Sequence, residues 1–351
     1  MKLYDRIYND LKVQIADGIY DNGVLLPTEI SLQNKYGVSR ITVKHAYEKL
    51  VSEGIIVRVA GKGTMLAESA KKHSSRLIGL VLCDFNQSFG VNLVKSIEQC
   101  AAENGYSVVL KISGDDHTTE RRVLSELMEL NVCGIIIQNC HGAFTKNLIS
   151  LSIRNFPLVS VDRYAKGLLI PSVTSDNFHA SFKAAEYFLK QGDKKILFAS
   201  ASPQNTSTLT ERFEGFRQAY IDNGSLLSAD NFITDLISPV LYTEENREQD
   251  IEKIAEILLD KNITAVIAAE SGVGELCAEA AERAGKRFSD DFEMICFDKS
   301  SNMPPHKNII NILQDEQKMG RAAAKQLINI IHNASVDMRM IIDTRFFPAV
   351  L

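Results

Sequence analysis

Hydrophobic residues recur along the chain with two different periods, and the change between them divides the sequence near residue 77. Over the first 68 residues, apolar positions return every three or four residues, which is typical of short amphipathic helices. A first helix is predicted to end near Gly18, and its buried stripe comprises Tyr4, Ile7, Leu11 and Ile15. A second helix is predicted to begin after Thr28, a capping residue, and to stop at Gly37.

A third helix follows after only two residues, in the stretch GVSRITVKHAYEKL (37–50), with Ser39 at the position of an N-cap. Its predicted buried stripe comprises Val43, Ala46, Tyr47 and Leu50. Two short helices joined by so short a turn form a helix-turn-helix. After Gly54, two β-rich runs flank a Gly-Lys-Gly turn and predict a hairpin, or wing. We therefore predict an α+β winged helix-turn-helix head in residues 1–68.

From residue 77 onward, short continuous apolar runs alternate with amphipathic helices. The run LIGLVLCDF (77–85), for example, precedes the helical stretch GVNLVKSIEQCAAENG (90–105). Continuous apolar strands between helices indicate parallel sheets with helices on both faces. The strands are too many for one compact sheet, so we predict an α/β body of two similar lobes over residues 77–351. The polar stretch SAKKHSSR (69–76) is interpreted as the linker.

Composition excludes several classes of protein. The chain has 45% hydrophobic and 24% charged residues, no apolar run of membrane-spanning length, and a polar N-terminal stretch, so we expect a cytoplasmic protein without membrane contact. The six cysteines include no CxxC pair and are interpreted as reduced, buried thiols rather than disulfides or zinc ligands. Histidines are dispersed, and Walker, GxSxG and HExxH motifs are absent, so we predict no enzyme, no cofactor and no metal site.

Charge is unevenly distributed between the two parts. Residues 1–76 hold 12 Lys/Arg against 8 Asp/Glu, whereas the remainder holds 27 against 36. A basic head on an acidic body indicates that the head meets a polyanion. Off the buried stripe, the third helix begins with Arg40, Thr42 and Lys44, although a helix N-terminus prefers acidic residues.

That distribution fits insertion of the third helix into DNA. The second helix of a helix-turn-helix enters the major groove with its N-terminal end, where Arg can bind guanine and Lys or Thr can reach bases or phosphates. Lys62, between two glycines, could lie along the backbone or the minor groove. The alternative is a solvated polar face, which we prefer for Glu48 and Lys49 and leave open for His45.

The head resembles the winged-helix domain of the GntR family of bacterial repressors. The matching stretches are LYDRIYNDLKVQIADGIY, LLPTE, YGVSRITVKHAYEKLVSEGII and GKGT, in the family's order and spacing. The resemblance implies contact with operator double-stranded DNA from the second helix, the third helix and the wing. The residues implied are Thr28, Glu29, Ser39, Arg40, Thr42, Lys44, Lys62, Gly63 and Thr64. Because a helix-turn-helix usually reads two half-sites, we expect a homodimer.

Polar residues gather where the predicted strands of the body end. They are Asp84, Gln138, Asp162, Arg163, Glu270 and Asp298. Ligands of open parallel sheets bind beyond the carboxyl ends of the strands, and carboxylates with an arginine hold hydroxyl groups through strong hydrogen bonds. The set therefore favours a polyhydroxylated ligand, although for any one of these residues a role as cap of the next helix is an equally good explanation.

From residue 77 to about 335 the chain resembles the LacI-type effector domain, a periplasmic-binding-protein fold. The resembling stretches are IGLVLCDFNQSF, PLVSVDR, VTSDNFHASFKAAEYFLKQGDKKI, ERFEGFRQAY, MICFD and INILQDEQKMGRAAAKQL. By position, the resemblance implies sugar contacts from Phe85, Ser88 or Phe89, Asp162, Arg163, Asp176 or Asn177, Arg212, Glu270, Asp298 and Gln314.

A GntR-type head on a LacI-type body is the arrangement of the arabinose-repressor subgroup. The resemblance implies a sugar-responsive bacterial transcriptional regulator. In its simplest form this is a repressor of a carbohydrate-utilisation operon, which a monosaccharide such as arabinose or fucose releases from its operator. Two alternatives stay open, namely a sugar-binding protein and a regulator whose sugar promotes DNA binding.

Overall fold

The computed structural model describes residues 3–348 except 17–18, 21–24, 68–74, 85, 87, 141–145, 165, 193, 205, 289–291, 301 and 304–305. Most of the predicted linker thus lies outside the described residues. The head comprises helices α1 (Leu3–Ala16), α2 (Glu29–Tyr36) and α3 (Arg40–Ser52) and the antiparallel hairpin of β1 (Ile56–Val59) and β2 (Gly63–Leu66). The prediction of a winged helix-turn-helix is confirmed.

Local sequence sets the ends of the two central helices of the head, as predicted. The Thr28 side chain accepts a hydrogen bond from the backbone N–H of Ser31, and Ser39 does the same for Thr42. Gly37 ends α2 at a φ of 62°, in the left-handed region that favours glycine. The predicted stripe of α3 is fully buried, and the Tyr47 hydroxyl donates to the Pro27 carbonyl, which ties α3 to the segment that enters α2.

The body contains two α/β lobes, an N-terminal and a C-terminal one. The N-terminal lobe is formed by β3 (Leu77–Leu82), α4 (Val91–Glu103), β4 (Ser107–Ile112), α5 (His117–Glu129), β5 (Gly134–Ile137), α6 (Lys146–Ile153), β6 (Leu158–Val161) and β7 (Ser172–Ser175). The C-terminal lobe is formed by α7 (Asn177–Leu189), β8 (Ile196–Ala199), α8 (Ser207–Asp222), a short 3₁₀ helix (Ala229–Asn231), β9 (Phe232–Ile233), α9 (Glu244–Asp260), β10 (Ala265–Ala268), α10 (Ser271–Arg283), β11 (Glu293–Phe297) and β12 (Ile309–Leu313). Then α11 (Glu316–Ile331) and β13 (Arg339–Ile342) return to the first lobe, and β14 (Arg345–Phe347) to the second.

The two sheets have the same topology, with strand orders β13-β7-β6-β5-β3-β4 and β14-β12-β11-β10-β8-β9. Among the strand pairings that the structure describes in the body, the expectation of parallel sheets holds for all but one, because β14 runs antiparallel to β12. Only residues 343–344 separate β13 from β14, so β14 enters the second sheet at the carboxyl edge of its strands and must run away from that edge. A parallel arrangement would need a crossover of a dozen residues or so.

Three chain crossings connect the lobes, after β7, after β12 and after β13. The first two crossings are joined by a hydrogen bond in which the Ser175 hydroxyl donates to Gln314 Oε1 at 2.7 Å. At the start of α11, Glu316 Oε2 accepts from the backbone N–H groups of Gly90, Asn92 and Leu93 at 2.9–3.1 Å, which caps α4 from another element. These bonds fix the crossings, so that the carboxyl ends of both sets of strands face one cleft.

The described helices include none that is long and apolar enough to cross a bilayer. All six cysteines are free and buried, which agrees with their interpretation as reduced thiols.

Candidate functional site

On the head, two cations from different elements share one carboxylate. Arg40 Nε at the start of α3 lies 3.1 Å from Glu29 Oε2, and Arg58 Nη2 of β1 lies 3.0 Å from Glu29 Oε1. The Arg40 side chain is 78% exposed, whereas Glu29 is mostly covered. The three residues thus join α2, α3 and the wing into one surface. Sequence reasoning missed Arg58, although its place in the first predicted strand of the wing, two residues after the buried Ile56, was a usable signal.

Around this trio, the other predicted head residues are exposed or partly exposed. The Ser39 and Thr42 hydroxyl oxygens lie 3.0 Å apart, and Lys44 Nζ lies 3.6 Å from Glu48 in an exposed ion pair. Such a pair contributes little to stability, so the Lys44 ammonium remains available to a phosphate. His45, which the sequence left open, packs edge-on against the Tyr4 ring.

The wing presents Lys62 at its tip. Gly61 and Gly63 have φ values of 75° and 109°, which an L side chain rarely adopts, so the tight turn depends on glycine. The Lys62 N–H donates to the Val59 carbonyl at 3.0 Å and closes the turn. The carbonyl of Thr64 accepts from Leu26, which anchors the wing to the segment before α2.

Two apolar side chains also lie on the exposed starts of the helices. Ile30 is 69% exposed and Ile41 is 67% exposed, beside Glu29 and Arg40 respectively. Sequence analysis did not select them, although both stand off the buried stripes. An apolar group at this place can contact the methyl group of thymine in the major groove. The head surface therefore offers cations, hydroxyls and methyl groups together.

In the body, Arg212 of α8 is an anchored charged side chain of the cleft, and it is only 3% exposed. Its Nε donates to Asn177 Oδ1 at 2.8 Å, and its Nη1 donates to the Ala269 carbonyl at 2.6 Å. The guanidinium carbon lies 4.0 Å from the centre of the Phe297 ring. Three elements thus fix its orientation. Sequence reasoning missed Phe297, because nothing in its neighbourhood distinguishes it from an ordinary strand residue.

Asp298 follows Phe297 and is held by Gln314. The Gln314 amide donates to the two oxygens of Asp298 at 3.1 and 3.0 Å. Burial raises the pKa of the Asp298 carboxyl to about 7, against the opposing effects of the Arg212 charge and the Gln314 hydrogen bond. Its backbone φ is 61°. A carboxyl group in this state can change its charge near neutral pH.

Asp162 is the counterpart of Asp298 in the N-terminal lobe. The two sheets have the same strand order, and β6 and β11 occupy the same place in it. Asp162 directly follows β6, just as Asp298 directly follows β11. Asp162 also has a positive φ, of 64°. Its Oδ2 accepts from the Gln138 amide at 2.8 Å. The two lobes therefore face each other with matched aspartates, each held by a glutamine.

Arg163 extends the site in the N-terminal lobe. Its Nη1 donates to Asp115 Oδ1 at 2.9 Å and to the Asn139 carbonyl at 3.2 Å. Burial by itself would lower the pKa of the guanidinium, but neighbouring anionic groups, Asp115 among them, raise it overall. Sequence analysis missed Asp115 and Asn139, although they follow β4 and β5 within three residues. Asp115 also lies with Cys83 and Cys140 in a group of potential metal ligands.

Glu270 connects the electrostatics of the two lobes. Burial raises the pKa of its carboxyl group, while Arg212 of one lobe and Arg163 of the other lower it. The carboxylates of Asp162 and Asp115 raise the pKa of Glu270, as burial does. The cleft thus brings together carboxylates and guanidinium groups from both lobes, namely Asp115, Asp162, Glu270, Asp298, Arg163 and Arg212.

Other predicted cleft residues lie elsewhere or play a different part. Asp176 caps α7 and holds the His179 side chain at 2.9 Å, whereas its neighbour Asn177 contacts Arg212. Of these two alternatives, only Asn177 is bonded to the cleft arginine. The Ser88 N–H donates to Asn86 in a surface turn, and Phe89 packs against the core of the N-terminal lobe. Asp84 is exposed, and Phe85 lies outside the described residues.

Contacts between the lobes cluster at the N-terminal end of α8. The Ser207 hydroxyl oxygen accepts from the Tyr164 N–H at 2.9 Å, and the Thr208 hydroxyl donates to the Asp162 carbonyl at 3.4 Å. Arg339 of β13 forms an ion pair with Glu211 across the same boundary. The lobes are therefore in contact beside the charged groups of the cleft.

Two family models match successive parts of the chain. Residues 3–66 match the model of "Bacterial regulatory proteins, gntR family", and residues 78–298 match "Periplasmic binding protein domain". The chain is 23% identical to the arabinose metabolism transcriptional repressor of Halalkalibacterium halodurans, over 94% of this chain and 90% of the relative.

Solved structures show the same fold in the body. The transcription regulator CcpA of Lactococcus lactis superposes with a TM-score of 0.66 at 21% identity, covering 78% of this chain and 97% of that one. The second structure is a periplasmic binding protein/LacI transcriptional regulator from Alkaliphilus metalliredigens, complexed with D-xylulofuranose. It superposes with a TM-score of 0.63 at 19% identity, covering 78% of this chain and 97% of that one.

Proposed function

The chain belongs to the periplasmic binding protein domain family and carries a head of the gntR regulatory family, and from this premise we propose that it is a sugar-responsive transcriptional repressor. The observation that carries the proposal is the convergence of buried carboxylates and arginines from both lobes on one cleft. It is supported by a similar relative named as an arabinose metabolism transcriptional repressor and by a structural neighbour that was solved in complex with D-xylulofuranose. The proposed effector is a monosaccharide such as arabinose or fucose.

The cleft chemistry suits a sugar better than an ionic metabolite. Sugar hydroxyls donate to carboxylates and accept from guanidinium groups, and both kinds of group stand here in fixed positions. Asp298 and Arg212 would hold one side of the ring, and Asp162 and Arg163 the other. A ligand bound in this way bridges the two lobes, so its binding energy favours the closed arrangement over any more open one.

The head supplies the DNA-binding half of the proposal. Ser39, Arg40, Thr42 and Lys44 would face the major groove, with Thr28 and Glu29 at its edge. In the wing, Lys62, Gly63 and Thr64 would lie along the backbone. Because one head offers few contacts, the body would hold two heads as a homodimer in the bacterial cytoplasm, at the spacing of two half-sites.

In the proposed mechanism, sugar binding closes the lobes and changes the spacing of the heads, which releases the operator. A sugar can shift this equilibrium only through its different affinities for the two arrangements. Linkage makes the effect reciprocal, so operator DNA must weaken sugar binding by the same factor by which sugar weakens operator binding.

The test begins with a thermal-shift screen of the full chain against common monosaccharides. A ligand at a hundred times its Kd stabilises the native state by about 2.7 kcal/mol, which such a screen detects. An operator duplex is then selected from a random-sequence library, and sugar affinity is measured by calorimetry with and without saturating duplex.

We expect arabinose or fucose to raise the melting temperature and to bind more weakly in the presence of the duplex. Failure of every monosaccharide to stabilise the protein would reject the assignment of the cleft. Tighter sugar binding on DNA would show that the sugar promotes operator binding. Equal affinities, with and without DNA, would favour a sugar-binding protein without coupling to its head.

A further inference from the structure

Two buried thiols and a carboxylate converge at the carboxyl ends of three neighbouring strands. Cys83 follows β3, Asp115 follows β4 and Cys140 follows β5, and their ligating atoms all lie within 4.8 Å of one another. Cys83 Sγ lies 3.2 Å from Asp115 Oδ1. Cys83 and Cys140 are 5% and 6% exposed. The function proposed above makes no use of the thiols.

The backbone around these residues is fixed by hydrogen bonds. The Ser113 and Gly114 N–H groups donate to the carbonyls of Leu82 and Cys83 at 2.8 and 2.9 Å, which holds the turn that carries Asp115 over the end of β3. The Cys140 N–H donates to Glu120 Oε2 at 3.0 Å. The three side chains are therefore preorganised rather than brought together by mobile loops.

We propose that Cys83, Cys140 and Asp115 form a binding site for a thiophilic divalent cation with the coordination chemistry of Zn²⁺. Two sulfur donors and one carboxylate suit a borderline-soft ion. With Zn–S bonds of about 2.3 Å, tetrahedral coordination places two sulfurs about 3.8 Å apart, so donors already within 4.8 Å need to move by only about 1 Å.

A fourth ligand is also within reach. His117 and Glu120 form a second group of potential ligands with Cys140, again within 4.8 Å. The imidazole of His117 is the better donor for this ion, because Glu120 already accepts from the Cys140 backbone. A water molecule would complete the coordination shell if His117 stayed in place.

Charge balance favours occupation of the site. Without metal, protonated thiols leave the Asp115 carboxylate opposite the Arg163 guanidinium, whose Nη1 lies 3.5 Å from Cys83 Sγ. On binding, each thiol loses its proton to solvent, and the two new negative charges equal the two positive charges of the ion. The net charge of this buried region is therefore unchanged, which limits the desolvation cost.

The experiment uses the full chain, freed of metal by a chelator and titrated with Co²⁺ as the probe, since a tetrahedral cobalt–thiolate complex has strong visible and ultraviolet bands. We expect one Co²⁺ per chain. Cys83→Ser and Cys140→Ser should each weaken binding at least tenfold. The matched control Cys133→Ser removes a buried thiol at the opposite end of β5 and should bind as the wild type does.

Absence of the thiolate band in the wild-type protein, or an unchanged Co²⁺ affinity in both cysteine variants, would overturn the proposal. Should the variants fail to fold by circular dichroism, X-ray absorption of the Zn²⁺-loaded wild type decides the matter. Two sulfur neighbours around zinc support the site, whereas only oxygen and nitrogen neighbours reject it. Neither result decides whether the cleft binds a sugar, because the titration contains no sugar or DNA.

Discussion

Arg40 of the head and Arg212 of the body differ in how far their charged side chains are exposed to solvent. The Arg40 side chain is 78% exposed and shares one carboxylate with another arginine. Arg212 is 3% exposed and is bonded to Asn177, to the Ala269 carbonyl and to the face of Phe297. Water and salt screen the first arginine, whereas the second works in a medium of low dielectric constant.

This difference explains how the two surfaces select their partners. An ion pair whose arginine is largely exposed, such as Arg40–Glu29, contributes only about 0–1 kcal/mol, so the arginine can exchange its carboxylate for a base or phosphate at little cost. A buried arginine that is held by several fixed contacts cannot exchange those partners, and it recognises only a ligand that fits its remaining donor directions. We therefore expect salt to control the head, and hydrogen-bond geometry and protonation to control the cleft.

The largest effect is expected for Arg212→Ala. Removing one member of a buried, hydrogen-bonded set leaves the others unpaired, so sugar affinity should fall by about 3 kcal/mol, or roughly a hundredfold. Calorimetric titration measures the loss, while ligand-free operator binding should stay unchanged. Arg217→Ala is the matched control, because Arg217 lies on the same helix in an exposed ion pair with Glu214. Wild-type sugar affinity in the Arg212 variant would remove this residue from the site.

Arg40→Ala tests the exposed side of the comparison. If Arg40 reads a base, the variant should lose about 1–3 kcal/mol of discrimination between the selected operator and a version mutated at that base pair. Gel-shift titrations with both duplexes give the ratio of the two affinities. Lys35→Ala, which removes a surface cation near the end of α2, should keep the wild-type ratio. Equal ratios in both variants would mean that Arg40 contacts no base.

The pH dependence of the cleft follows from Asp298. Its folded-state pKa of about 7 exceeds the ordinary value of 3.8, so this group stabilises the sugar-free protein in acid, and the contribution is lost as pH rises from about 4 to about 7. A sugar hydroxyl that donates to the carboxylate favours the ionised form. Sugar affinity should then rise with pH, by at most tenfold per pH unit, and level off above about pH 7.

Asp298→Asn should remove both trends, since an amide does not titrate in this range. Melting temperature and calorimetric affinity between pH 5 and 8 provide the readout, with Asp222→Asn on the surface of α8 as the control. A parallel pH profile in wild type and Asp298→Asn would assign the titration to another group.

The smallest effect is expected in the wing. Lys62→Ala should weaken binding by a similar factor for all sequences and should lower the slope of log K against log salt concentration by about 1, because one phosphate contact is lost. Fluorescence anisotropy at several salt concentrations measures the slope. Neither Arg212→Ala nor Asp298→Asn should change it, and an unaltered slope in the Lys62 variant would place the wing away from the backbone.

Sequence reasoning was most accurate where neighbours within one helical turn decide the outcome. Thr28, Ser39 and Gly37 mark the helix ends as predicted, because a cap needs only its own side chain and the next three residues. The buried stripe of α3 was likewise read from spacing alone. Strand ends were found with equal ease, which located most of the residues that line the cleft.

Local patterns in the chain therefore predicted the two-part architecture, the helix caps and buried stripes of the head, and the polar groups at strand ends. Which of those groups come into contact depends on the three-dimensional arrangement of the strands and lobes. Asp115 reaches Arg163, and Cys140 reaches Cys83, only because β5, β3 and β4 are neighbours in the sheet. The antiparallel direction of β14 was decided in the same way. The cause is the sequence separation of the residues that interact. Helix caps and hydrophobic periodicity involve neighbouring residues, whereas strand order and the orientation of the two lobes depend on how distant segments bury their apolar surfaces together.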